Sequence, residues 1–176
     1  METIIINEKV NGLTPLHLSI SKGNEQIVSI LIENGADPEI TDDLGNNSFH
    51  YAAKRGNLQI LQLLESEYDK EIEKKPIAEA LNAKNKSNYS VLHSAILGIK
   101  ENQNWSAIGW LLQKGADPKL KVEKTNFSLK DKSVEDMFKE IDISYLKNYR
   151  KILEKVKNTE NSEELIFSLE VNPWIK

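Results

Sequence analysis

The sequence predicts an all-α fold, a solenoid of stacked helix-turn-helix units, on three observations. Shifting the chain by 33 residues lays Gly12 on Gly45, His17 on His50 and Gly23 on Gly56, a coincidence of punctuating residues that marks an internal repeat. Within one unit, Asn11 to Asp43, two apolar sets follow one another at helical spacing: Leu16, Leu18 and Ile20 on a short helix, then Ile27, Val28, Ile30, Leu31 and Ile32 on a longer one. The helices also carry boundary signals: Thr14 can cap a helix whose first position is Pro15, where a missing N–H does no harm, and Gly35 ends the second helix. One such pair cannot bury both of its faces, so neighbouring units must stack to build a continuous core.

Thr14-Pro15-Leu16-His17 and Gly35-Ala36-Asp37-Pro38, set in a 33-residue period, resemble the signature of the ankyrin repeat. The resemblance implies an ankyrin-repeat solenoid in which hairpin loops join the helix pairs. It is close over residues 11–118 and loose over 119–157, and it divides a domain of residues 1–157 into repeats of about 11–41, 42–84, 85–118 and 119–157. Residues 1–10, ending in Asn7-Glu8-Lys9-Val10, stand where the hairpin before a first repeat belongs and read as an incomplete N-terminal cap. Residues 158–176 lie outside the repeat, as a C-terminal capping helix or tail.

Repeat two opens at Asp42 and runs through Asn47-Ser48-Phe49-His50-Tyr51-Ala52-Ala53, with Ser48 where the signature has Pro, into Asn57 to Leu64. The next signature histidine, His93, follows His50 by 43 residues, so the chain carries an insert between Glu65 and Ala80. Leu61, Leu64, Tyr68 and Ile72 keep helical spacing until Pro76, which predicts a second outer helix lengthened to Lys75. Repeat three resumes from Leu81 to His93, with Ser90-Val91 in place of Thr-Pro. A second insertion, Gly98 to Asn104, predicts a longer loop between its helices, ahead of Ala107 to Gln113 and Gly115-Ala116-Asp117-Pro118. Beyond it, Lys132 to Met137 resembles the variant signature of a terminal repeat, and the hairpin Lys119 to Asp131 reads as enlarged. Ile143, Leu146, Tyr149, Ile152, Leu153 and Val156 give a last amphipathic helix.

Composition narrows the function. At 39% hydrophobic and 28% charged residues the chain is an ordinary globular one. Its formal charge of −4 and its two arginines, Arg55 and Arg150, argue against nucleic acid. The absence of cysteine excludes a disulfide framework. The apolar run Ile4 to Ile6 is far too short for a signal peptide or a membrane span. No membrane partner is expected, and a cytoplasmic, monomeric protein fits these features.

The histidines His17, His50 and His93 fall one per unit on the same signature position, where the resemblance implies that the imidazole bonds backbone within and between repeats. They do not converge on a metal site, no nucleophile elbow accompanies them, and the glycines are single turn markers rather than a phosphate cradle. No metal, cofactor or catalysis is therefore expected. A catalytic unit in the C-terminal third is the less favoured alternative, since that third has no His and no Cys.

The resemblance further implies that a partner protein binds on the concave face. The family's variable positions transfer to Val10, Asn11, Leu13, Ser21 and Lys22 of repeat one, and to Thr41, Asp43, Leu44, Asn46, Lys54 and Arg55 of repeat two. Repeat three supplies Lys84, Lys86, Ser87 and Tyr89. Leu13, Leu44 and Tyr89 would form an apolar row, with the basic residues behind it favouring an acidic target. A dedicated inhibitor that plugs the site of one enzyme or toxin is the alternative within the binding class. In the tail, the Glu pair Glu163-Glu164 with late Trp174 and Ile175 is similar to the type IV secretion signals of effectors from intracellular bacteria, many of which carry ankyrin repeats. The resemblance implies delivery into a host cell without a cleaved leader, against the plainer reading of the segment as a cap.

Overall fold

A computed structural model describes residues 6–66, 76–102, 105–122 and 133. Among them the chain forms seven helices: α1 (Pro15–Lys22), α2 (Glu25–Glu33), α3 (Ser48–Arg55), α4 (Leu58–Glu65), α5 (Ile77–Asn82), α6 (Val91–Asn102) and α7 (Trp105–Gln113). Helices α1, α3 and α6 stack as one layer and α2, α4 and α7 as the other, each pair packing on the next. Leu16, Ile20, Phe49, Ile60, Leu61, Leu64, Leu92, Ile108 and Leu111 are fully buried between the layers.

Local chemistry explains where the helices begin and end. Thr14 Oγ1 accepts from His17 N at 3.3 Å, Asn24 Oδ1 from Ile27 N at 3.1 Å, Asn47 Oδ1 from His50 N at 3.2 Å and Asn57 Oδ1 from Ile60 N at 3.0 Å. Each bond satisfies one of the orphan donors of a first turn. The first-layer helices α1 and α3 end on Gly23 and Gly56, both left-handed. Ser48, at the first position of α3 where α1 has Pro15, donates its N–H to Pro38 O at 3.1 Å, but its buried Oγ has no hydrogen-bond partner. Ser48→Ala is accordingly expected to leave stability unchanged or to raise it by up to about 1 kcal/mol, read from urea denaturation midpoints.

The described helices depart from expectation at several points. The insertion at 98–104 lengthens a helix rather than a loop: α6 runs twelve residues to Asn102, leaving only 103–104 before α7. Gly98 lies inside it, against the last turn of α3, where an added Cβ would overlap the Lys54 carbonyl oxygen and lie 2.7 Å from its carbon. The second outer helix ends at Glu65 with Ser66 as its C-cap, and the rest of the predicted extension, residues 67–75, lies outside the described residues. A helix the periodicity did not suggest, α5, starts after Pro76 and buries Ala80 and Leu81. Finally, Ile27 and Ile30 of α2 are 46% and 57% exposed, whereas Ile60, which matches Ile27 one unit later, is 0% exposed. The α2 helix has no outer helix before it among the described residues, while α4 has α2. The expected fourth repeat lies outside the described residues apart from residues 119–122 and Ser133, which pairs with Lys121 in an isolated antiparallel bridge.

Candidate functional site

The second and third hairpin tips are each built around one side chain that takes the place of backbone partners. In the second tip the buried Asp42 carboxylate accepts from Leu44 N at 2.8 Å, Asn46 N at 2.7 Å and Asn46 Nδ2 at 2.9 Å, and from the Tyr51 hydroxyl at 2.7 Å. Burial alone would raise the Asp42 pKa, but these donors outweigh it and hold it below the usual carboxylate value. The same surroundings, burial first and then the Asp42 carboxylate, keep the Tyr51 hydroxyl protonated well past its ordinary range. In the third tip Asn85 Oδ1 takes the place of the carboxylate, accepting from Ser87 N and Tyr89 N at 2.9 Å. The first tip has no such anchor and turns on Asn11 and Gly12, with φ of 52° and 79°, closed by Val10 N to Leu13 O at 2.9 Å. Tyr51→Phe is expected to cost about 1 kcal/mol, measured by chemical denaturation, because a neutral donor to a carboxylate is lost while the ring remains.

The second and third tips are bonded to each other, and the first lies close against the second. Lys86 N donates to Leu44 O at 2.9 Å and Asn85 Nδ2 to Asn46 Oδ1 at 2.7 Å. A Cβ on Gly12 would press into the Asp43 carboxylate, and one on Gly45 would come within 2.9 Å of Lys86 N. The loops therefore present a ribbon of fixed spacing. Behind them the histidines pin each helix start: the Nδ1 atoms of His17, His50 and His93 accept from Thr14 N, Asn47 N and Ser90 N at 3.2, 3.3 and 3.2 Å. His50 Nε2 then donates to Tyr89 O of the following repeat at 3.0 Å. His17 Nε2 is buried without a hydrogen-bond partner, and its ring leans on Tyr51 with centroids 5.1 Å apart. Burial pushes the pKa of both His17 and His50 below the ordinary value. No cluster of three or more His, Asp or Glu residues with metal-binding geometry occurs among the described residues.

The sequence-derived contact positions fall into two kinds. Val10, Asn11, Lys22, Thr41, Asp43, Leu44, Lys54, Lys84, Lys86 and Ser87 are exposed, with Leu44 at 66% and Val10 at 64%. Leu13, Ser21, Asn46 and Tyr89 are only partly exposed, and several are engaged internally. Asn46 belongs to the Asp42 network, and the Tyr89 ring stacks on His93 at 6.1 Å. Arg55 is exposed but its Nη1 donates to Ser21 O at 2.8 Å, capping the end of α1. Lys84 Nζ donates to Lys121 O at 3.0 Å. The structure adds Leu97 of α6, an exposed residue that sequence reasoning placed one position ahead of a loop.

A family model of ankyrin repeats, in three copies, matches residues 2–75. The chain contains ankyrin repeats. It is 40% identical over 67 residues to the phosphocholine transferase AnkX of Legionella pneumophila, an alignment covering 37% of this chain and 7% of that protein. It is 29% identical over 112 residues to the nuclear factor NF-kappa-B p105 subunit of Rattus norvegicus, covering 64% of this chain and 10% of the relative. With the E3 ubiquitin-protein ligase KEG of Arabidopsis thaliana it shares 46% identity over 44 residues, 25% of this chain and 3% of the relative. The chain spans a tenth or less of each of these proteins. Ankyrin repeats are a protein-interaction unit, and the family is generally non-catalytic. Among the described residues no helix is long and apolar enough to cross a membrane.

Proposed function

We propose that this ankyrin chain binds a partner protein across its hairpin tips and the adjoining ends of α1, α3 and α6. The observation that supports the reading is Leu44: a large apolar side chain, two-thirds exposed, at the apex of a tip whose backbone is fixed on both sides by Asp42 and Lys86. A solvent-facing leucine held this rigidly loses little conformational entropy on contact, which is what a binding hot spot requires. Lys22 and Lys54, in the last turns of α1 and α3, and Lys86 in the third tip stand exposed and favour an acidic partner, with the charge of Arg55 added at the end of α1. The chain acts as a monomer that engages one partner, in the manner of an effector directed at a host protein, without turnover of a substrate.

The test is retention of a partner by the immobilised chain and by Leu44→Ala. The substitution is expected to weaken binding by more than about 1 kcal/mol while the melting temperature stays unchanged, since Leu44 packs on little. Lys54→Glu with Lys86→Glu should slow association and remove its dependence on salt. Undiminished affinity in both variants would move the interface off this surface.

A further inference from the structure

The sequence contains two Asn-Gly pairs, Asn11-Gly12 and Asn34-Gly35, and the fold treats them in opposite ways. We infer that Asn11 is a site of spontaneous backbone-assisted deamidation and isomerisation, and that Asn34 is protected from the same reaction. In this chemistry the backbone nitrogen of the following residue attacks the Asn Cγ. The Cγ–Nδ2 bond breaks, ammonia leaves, and a five-membered succinimide closes; water then opens the ring at either carbonyl to give aspartate or isoaspartate. Glycine in the following position favours attack, because no Cβ shields its nitrogen and its backbone swings freely.

At Asn34 both reacting groups are held. Gly35 N donates to Ile32 O at 3.0 Å and Asn34 Nδ2 to Ile30 O at 2.7 Å, so neither the nucleophile nor the leaving group can turn without breaking the end of α2. The Gly35 carbonyl is fastened as well, by Asn7 Nδ2 at 3.1 Å. At Asn11 the residue is exposed at the apex of a two-residue turn, and among the described residues no hydrogen bond engages its side chain or the Gly12 N–H. Reaching the cyclisation geometry means opening only the Val10–Leu13 pair, a local event that leaves the helices intact. Conversion has a structural consequence at that tip. The new carboxylate would lie one residue from Gly12, against which the Asp43 carboxylate already rests, and isoaspartate would add a backbone carbon to a turn whose register depends on two residues.

Peptide mapping of the full chain, incubated at mildly alkaline pH folded and in parallel in urea, tests this without reference to any partner. In the folded chain the Asn11 peptide should acquire aspartate and isoaspartate several-fold faster than the Asn34 peptide, and in urea the two rates should converge. Equal conversion of both sites in the folded chain would overturn the inference. So would an Asn11 rate in the folded chain as strongly suppressed, relative to urea, as that of Asn34.

Discussion

Gly98→Ala is expected to destabilise the chain by about 3 kcal/mol or more, although alanine is the better helix former by roughly 1 kcal/mol. The methyl has nowhere to go: Gly98 is buried in the middle of α6, and the atoms it would meet are the Lys54 carbonyl group and Cα, backbone of the last turn of α3 that no rotamer change can move. Accommodation would require the two first-layer helices to part along their whole contact. Gly35→Ala makes the comparison, because an added Cβ there has nothing within 4 Å and meets only the strain of φ +87°, worth about 1–2 kcal/mol. Urea midpoints for the two variants should therefore differ clearly, with Gly98→Ala the lower. A Gly98→Ala chain within about 1 kcal/mol of the parent would mean that α3 and α6 tolerate separation.

Acidification is expected to produce the second large effect, a loss of stability that sets in as pH falls below 6.5, well before carboxylates titrate. Both His17 and His50 have folded-state pKa values lowered from 6.5, burial being the largest cause. Above 6.5 both states are neutral there and nothing is lost. Below it the unfolded chain takes up protons that the folded chain refuses, so stability falls until each folded pKa is reached. Protonation of His50 also removes the acceptor for Asn47 N. The lowered pKa of Asp42 adds a further loss below 3.8. Chemical denaturation across this range checks the sign, and His50→Gln should flatten the upper part of the curve. Added zinc should leave the profile where it is, since the imidazoles are spent on backbone one repeat at a time. A stability that rose between pH 6.5 and 5 would refute the account.

What could be read from the sequence was local. The Thr14, Asn47 and Ser90 positions declare helix starts within four residues, and the apolar stretch Ala107 to Leu112 is found buried on α7. What escaped depended on the neighbour. Ile27 and Ile60 have the same spacing and the same chemistry, and only the presence of a preceding outer helix separates an exposed isoleucine from a buried one. Gly98 reads as a loop marker by residue type, yet it is a helix residue selected for close approach to another backbone. Pro76 was legible as a helix stop but equally begins α5, whose six residues are too few to show a period. Among contact candidates, exposure of Leu44 followed from its place at a tip, whereas the engagement of Asn46 with Asp42 and of Arg55 with the end of α1 rests on partners that periodicity cannot assign.

The side-chain bonds that tie one repeat to the next close loops of similar size, among them Arg55 to Ser21 over 34 residues, Asn57 to Glu25 over 32, Asn47 to Ala80 over 33, His50 to Tyr89 over 39 and Asn82 to Gly115 over 33. Among the described residues none of these ties skips a unit. The search each bond demands of the unfolded chain is therefore short and nearly constant, since closure entropy grows only with the logarithm of loop length. Assembly can start at whichever helix pair forms first and spread in both directions at a rate set by one repeat rather than by the length of the chain. The mechanical counterpart is that tension applied along the stack is borne by one interface at a time, so the described repeats yield in succession rather than in a single rupture.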